Sequence, residues 1–182
     1  MSCPAIGHNN GPTLEPGGSW RKHCWVQARK ALLPHLPIEV LRGRLRRAAE
    51  LGLDYSTYAG IRATTGCDVV AVLFSSNALR LHNGKSAPPA IARKMAQTMA
   101  IRTGLATDPL SPQAMLQAAP LDAAFAAPAV HAGFSQTRNV VRTALGRTPA
   151  DQTILIGAYG AEAEWTAGAP LAGYVEAAAY FR

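Results

Sequence analysis

Residues 65–81 read TGCDVVAVLFSSNALRL, and the way this stretch folds decides the fold class of the chain. Its six consecutive apolar residues, 69–74, are rich in valine and would suit a buried parallel strand. However, Thr65 and Asp68 have the Ser/Thr-x-x-acid spacing that caps the start of a helix, and the apolar pattern continues beyond the run. We therefore expect a helix here, with a strand over 68–74 as the alternative.

The same choice recurs in residues 148–165, TPADQTILIGAYGAEAEW. Thr148 is a good N-cap, Pro149 suits the first helical position, and Asp151 lies in the first turn. These three signals favour a helix, although the two glycines further along weaken it. A strand over 152–159 is the alternative.

The flanking segments also favour helices. Pro37 suits a first-turn position and Gly52 follows an apolar stripe, so a helix is expected between them. Asp54 is expected to cap a second helix that runs to Ala63. Because alanine, the best helix former, supplies much of the apolar content, we expect an all-α fold, a compact domain of about eight helices. Further helices are expected within 19–33, 88–104, 111–119 and 134–146.

The domain organisation expected from the sequence is simple. Residues 1–18, MSCPAIGHNNGPTLEPGG, are rich in Gly and Pro and should form a flexible, disordered N-terminal tail, which leaves 19–182 as a single helical domain. No uninterrupted apolar stretch reaches the roughly 18 residues of a membrane span. Three cysteines at unrelated spacings fit a reducing compartment, so we expect a cytoplasmic protein.

The formal net charge of +7 is unevenly distributed. Residues 1–102 contain 14 Lys and Arg against 5 Asp and Glu, whereas residues 103–182 contain 4 against 6. The domain therefore combines a basic half, 19–102, with a nearly neutral, alanine-rich half, 103–182. A basic region of this kind favours a polyanionic partner, either nucleic acid or an acidic protein surface.

Residues 46–63, RRAAELGLDYSTYAGIRA, follow the general helix-turn-helix pattern. Ala48 is a small residue where two helices would touch, and Gly52, four positions later, tolerates the positive φ of the turn. We therefore expect an αα-corner resembling a helix-turn-helix near 38–63. The inner faces of its two helices would carry Leu51, Leu53, Tyr58 and Ile61.

On this interpretation the second helix would present mostly short side chains to a DNA groove, which cannot read base edges well. The arginines of the two helices would instead contact phosphate, which positions a protein on DNA without specifying sequence. The candidate nucleic-acid-binding residues are Arg42, Arg44, Arg46, Arg47, Tyr55, Ser56 and Arg62.

The sequence carries no motif for catalysis or for a nucleotide cofactor, since G-x-S-x-G and the phosphate-binding glycine patterns are missing. Cys3, His8, His23 and Cys24 hold the atom types for tetrahedral zinc, but His23 and Cys24 are adjacent and would diverge on a helix. We therefore assign no catalytic residue, no metal site and no cofactor, and an enzyme is the less favoured class.

Two functions are expected ahead of others. The first is a nucleic-acid-associated or transcription-regulating protein, in which the nearly neutral half serves a partner or forms a homodimer. The second is an adaptor that docks its arginine-rich helix on an acidic partner protein. An enzyme or small-ligand carrier would require a pocket containing a buried polar cluster.

Overall fold

The computed structural model describes residues 23–24, 36–81, 86–129 and 131–182. The chain divides into two compact units, Met1–Leu41 and Arg42–Arg182. The tail predicted for residues 1–18 lies outside the described residues. Of the helix predicted within 19–33, only His23 and Cys24 are described, and both are helical.

The Arg42–Arg182 unit alternates helices and strands, with one helix reaching into it from residue 38. The helices are α1 (Ile38–Glu50), α2 (Tyr55–Thr65), α3 (Pro89–Gln97), α4 (Pro112–Ala118), α5 (Phe134–Leu145), α6 (Gly160–Gly168) and α7 (Ala177–Tyr180). The strands are β1 (Ala71–Ser75), β2 (Ile101–Ala106), β3 (Ala123–Ala126), β4 (Thr153–Gly157) and β5 (Gly173–Glu176).

The five strands form one parallel sheet in the order β3-β2-β1-β4-β5. Alternate strand residues point to opposite faces. Phe74 of β1 packs in a cluster with residues of α1 to α4 and α7, whereas its neighbour Leu73 packs with α5 and α6. Helices therefore cover both faces, and the fold is an α/β, doubly wound sheet.

The predicted all-α fold is wrong, because residues 71–75 form the central strand β1, where a helix was expected. All five residues of β1 are buried, so the stretch shows the continuous apolar run of a strand covered on both faces. The residues that suggested a helix cap have other roles. Thr65 ends α2, and the Asp68 carboxylate accepts hydrogen bonds from Arg47 and Tyr58.

The helix predicted from Thr148 is also wrong. Its strong start produces only a 3₁₀ turn, Ala150–Gln152, after which the fully buried strand β4 begins. The predicted helix over 88–104 is too long, because α3 ends at Gln97 and β2 follows. The strand alternatives for 68–74 and 152–159 were the correct ones.

The helices predicted on either side of Gly52 are present. Gly52 has φ of 70°, and the Asp54 carboxylate caps α2 by accepting the Thr57 N–H at 2.9 Å. These helices pack on the sheet through a shared core that contains Ala48, Tyr58 and Phe74. They therefore cover part of one sheet face and are not the centre of a helical domain.

Candidate functional site

The strand order places a topological switch point at β1. The chain leaves β1 through α3 on one face of the sheet and enters the neighbouring β4 from α5 on the other face. In doubly wound sheets, ligands bind in the crevice outside the carboxyl ends of the strands at such a point. The segments at this edge start with Ser76 after β1 and with Ala158 after β4.

A buried carboxylate, Glu162, joins these two segments. Its side chain accepts hydrogen bonds from the Ser75 hydroxyl at 2.9 Å, the Asn77 amide at 2.9 Å and the Ala158 backbone N–H at 2.7 Å. Glu162 is also the acidic residue in the first turn of α6, where it closes a capping box with Tyr159. Because a buried charge needs several donors, these bonds fix the carboxylate at the switch point.

Gly157, the last residue of β4, leaves room for this arrangement. A Cβ atom here would lie 2.5 Å from the Tyr174 ring and 2.7 Å from the Glu162 Oε2 atom. The Tyr174 hydroxyl donates to the Tyr159 carbonyl at 3.0 Å, and burial, together with the charges of Glu162 and Glu176, raises its pKa. The close approach of the ring and the carboxylate therefore requires glycine.

Two hydroxyl groups join the ends of β1 and β2. The Ser76 and Thr107 hydroxyls are 2.6 Å apart, and the Thr107 backbone N–H donates to the Ser76 oxygen at 3.1 Å. Ser76 also donates its own N–H to the Leu105 carbonyl. This network holds the loop after β2 close to β1.

A cleft of about 1020 Å³, here called the carboxyl-edge cleft, opens between the loops after β2 and β3 and the first turns of α5 and α6. Three carboxylate residues line it, namely Asp108, Glu162 and Glu164. None of the described residues that line it is Lys, Arg or His. The cleft is therefore acidic.

Three aromatic residues line the same cleft. Trp165 is buried, whereas Phe134 and Tyr159 are 63% and 59% exposed, which is unusual for such large rings. Most of the remaining lining residues are alanine and proline. An apolar cleft with a few polar groups at defined positions is the usual form of a small-molecule site.

None of the residues predicted from the sequence lines this cleft. The useful signals were weak ones: Asp108 lies two residues after β2, and Glu162 lies in the first turn of α6, the helix that follows β4. These two acids indicate a common site only after 101–106 and 153–157 are recognised as parallel strands, because parallel strands bring their carboxyl ends to one edge of the sheet.

Arg47, one of the predicted phosphate ligands, has internal partners instead. It donates to Asp68 at 3.0 Å, Glu50 at 3.1 Å, the Val69 carbonyl at 2.8 Å and the Met99 carbonyl at 3.2 Å. Partial burial opposes its charge, but the hydrogen bonds and charges of Glu50 and Asp68 outweigh burial and raise the pKa of Arg47. The side chain connects α1 to the start of β1.

The second predicted helix supplies one further member of this network. Arg62 lies 3.9 Å from the Asp68 carboxylate and 3.4 Å from the Tyr58 hydroxyl. Ser56 donates its hydroxyl to Asp54, and this bond, with those from Thr57, lowers the pKa of that carboxyl. Tyr55 packs against the core.

The other predicted arginines lie elsewhere on α1. Arg42 and Arg46 are exposed. The Nε atom of Arg44 is buried and has no hydrogen-bond partner among the described residues. The structure therefore brings Arg47 and Arg62 together at Asp68, whereas Arg42 and Arg46 lie on a separate face of α1.

Within the described residues, no group of three or more His, Cys, Asp or Glu side chains could hold a metal ion. Of the zinc ligands considered from the sequence, Cys3 and His8 lie outside those residues. No helix in the described part of the chain combines the length and the apolar character needed to cross a membrane.

Comparison of the chain with protein-family models, with curated proteins and with solved structures finds no match.

Proposed function

We propose that this protein binds a small, ring-containing molecule, uncharged or cationic, in the carboxyl-edge cleft. The observation that carries the proposal is the lining of this cleft, three carboxylates and no cation among its described residues. The exposed Asp108 and Glu164 can accept hydrogen bonds from hydroxyl or ammonium groups, and the three carboxylates together repel anions. The exposed rings of Phe134 and Tyr159 offer faces on which a planar ring can stack.

The position of the cleft supports the same proposal by analogy. Doubly wound sheets bind ligands outside the carboxyl ends of their strands, and many of these ligands are nucleotides. A fold alone does not select a ligand, so the charge of the cleft has to decide. Asp108, Glu162 and Glu164 argue against a phosphate group and in favour of a nucleoside or an aromatic amine.

The proposal is tested by titrating the protein with adenosine, tryptamine and adenosine 5′-monophosphate, with binding measured by calorimetry at moderate salt. We expect adenosine or tryptamine to bind. The monophosphate should bind about tenfold more weakly than adenosine, because its charge would lie close to the three carboxylates.

Two matched variants locate the binding. Ala161→Trp places a large ring in the cleft and should weaken binding at least about tenfold, because the ring occupies ligand volume. Ala63→Trp adds the same ring at an exposed position on α2, outside the cleft, and should leave affinity unchanged. The proposal is wrong if the monophosphate binds best, or if neither adenosine nor tryptamine binds.

Contact with nucleic acid is our second proposal, with docking on an acidic partner protein as its alternative. The net charge of +7 and the exposed Arg42 and Arg46 on α1 support it. The test is the fluorescence anisotropy of a labelled random-sequence duplex titrated with the protein. Micromolar binding that weakens as salt rises is the expected result, and no binding at low salt would exclude nucleic acid.

A further inference from the structure

A second hollow, here called the basic groove, lies beside the ends of α1 and α3 and the residues that follow α7. Its volume is about 450 Å³, and its lining includes Arg93, Lys94 and Arg182. The other lining residues include Gln97, Thr98 and the ring of Phe181. None of the described residues that line it is Asp or Glu, so its charge is opposite to that of the carboxyl-edge cleft.

The cations of the groove differ in how firmly they are held. Lys94 donates a hydrogen bond to the Tyr180 carbonyl, and its ammonium lies 4.7 Å from the centre of the Tyr180 ring. These contacts fix the ammonium while leaving N–H donors for a ligand. Arg93 is exposed and forms no ion pair with a described acid, so its full guanidinium fork is available.

The helix α1 extends this charge beyond the groove. Ala49 lines the groove, and Arg46 and Arg42 precede it by three and seven residues, which places all three on one helix face. From Arg42 to Ala49 the helix rises by about 10 Å. On α1, Glu50 follows Arg46 by four residues and forms an ion pair with Arg47 at 3.1 Å, and Glu39 precedes Arg42 by three residues.

We propose that these five residues, here called the basic stripe, bind the phosphate backbone of a nucleic acid: Arg42, Arg46, Arg93, Lys94 and Arg182. The proposal rests on the second function proposed above and assigns it to a surface. Only two of these residues, Arg42 and Arg46, belong to the set predicted from the sequence.

Nucleic acid fits the basic stripe better than an acidic protein does. A protein interface usually has an apolar centre, whereas the stripe consists of five cations; the apolar groups beside it include the partly buried ring of Phe181 and Leu45, which is 45% exposed on the same face of α1. A polymer with evenly spaced phosphates can be held by charge alone, and a base can stack on such a ring. Arginine forks also match phosphate oxygens in pairs.

The experiment measures the anisotropy of labelled 20-nucleotide single strands and duplexes at 50 and 200 mM salt. If about four phosphates are contacted, affinity should fall about 50-fold for single strands and about 150-fold for duplexes between these two conditions. The double variant Arg46→Glu/Arg93→Glu reverses two charges of the stripe and should weaken binding at least about tenfold. The matched control, Arg138→Glu/Arg142→Glu, reverses two exposed charges on α5, across the sheet.

The outcomes test two claims separately, namely that the protein binds nucleic acid and that the basic stripe is the binding surface. The stripe is supported if the control double variant retains affinity and the stripe variant loses it. If both variants weaken binding equally, nucleic-acid binding stands but the stripe is the wrong surface. If the unmodified protein does not bind at 50 mM salt, both nucleic-acid binding and the basic stripe are overturned. The same follows if polyglutamate competes more strongly than unlabelled oligonucleotide. Thermal melting of each variant confirms folding, since exposed substitutions change stability little.

Discussion

The carboxyl-edge cleft is lined by three carboxylates, whereas the basic groove is lined by two guanidinium groups and an ammonium. The acids Asp108, Glu162 and Glu164 come from the nearly neutral half of the chain, and Arg93 and Lys94 come from the basic half. The third cation of the groove, Arg182, comes from the nearly neutral half, so the uneven charge of the sequence is reproduced only in part by two hollows of opposite charge. A single net charge of +7 would predict only one kind of partner, whereas the geometry supports two.

The two hollows also differ in whether their charged side chains are hydrogen-bonded within the fold or exposed to solvent. Glu162 in the cleft is buried and has hydrogen bonds from both sides of the switch point, while Arg93 in the groove is exposed. Removal of a buried, hydrogen-bonded charge leaves its partners unsatisfied and destabilises the fold, whereas an exposed charge contributes little to stability and can contact a partner. Substitutions of buried and of exposed charges should therefore change the free energy of unfolding by different amounts.

The largest effect is expected from Glu162→Ala. The substitution leaves the Ser75, Asn77 and Ala158 donors without their acceptor and should lower the free energy of unfolding by about 3 kcal/mol. Glu164→Ala is the matched control, because Glu164 lines the same cleft but is exposed, and its effect should stay within about 0.5 kcal/mol. Urea unfolding followed by circular dichroism measures both. Equal stability of the two variants would show that Glu162 does not hold the switch point together.

A smaller effect is expected from Arg47→Ala, which tests how much a cation that is hydrogen-bonded within the fold contributes to stability. Its loss removes bonds to Asp68 and to the Val69 carbonyl and should lower the free energy of unfolding by about 2 kcal/mol. Arg46→Ala, one residue earlier and exposed, should change it by less than about 0.5 kcal/mol. The same urea experiment compares them. If Arg46→Ala lowers the free energy of unfolding as much as Arg47→Ala does, the distinction between the bonded Arg47 and the exposed Arg46 is wrong.

The sequence predicts the helices of this fold better than the strands. Asp54 and Gly52 give reliable signals because caps and turns depend on local chemistry. Strands β1 and β4 are buried on both faces, so they lack the alternation that identifies a strand at the surface. Strand β3, with the sequence AAFA, has almost no strand signal.

The sites are even less accessible to sequence analysis. Ser75 and Glu162 are 87 residues apart and meet only because β1 and β4 are neighbours in the sheet. The arginine cluster was visible in the sequence, but the sequence did not show which arginines bond within the fold and which are exposed. Adjacent residues such as Arg46 and Arg47 point in directions about 100° apart on a helix, and only the packed structure shows which one faces an acid.

The smallest effect concerns a charge pair outside both hollows, Arg102 and Asp122, at the start of β2 and before β3. Their side chains approach to 2.7 Å, and the Arg102 hydrogen bonds lower the pKa of Asp122. A carboxyl whose pKa is lower in the folded chain stabilises the fold above its unfolded pKa of about 3.9 and loses that contribution as pH falls. Asp122 is 45% exposed, so the pair should contribute only about 0.5 to 1 kcal/mol.

Asp122→Asn should therefore be less stable than the unmodified protein at pH 7, and the difference should shrink as pH falls below about 4. Asp151→Asn removes another exposed carboxylate, which has no ion pair with a described cation, and should give no comparable pH-dependent difference. Urea unfolding at pH 7 and pH 3 measures both. A difference that grows at pH 3 would mean that the protonated form of Asp122 is the stabilising one. In that case the ion pair would not stabilise the fold, and Arg102 would contribute as little to stability as the exposed Arg46 is expected to.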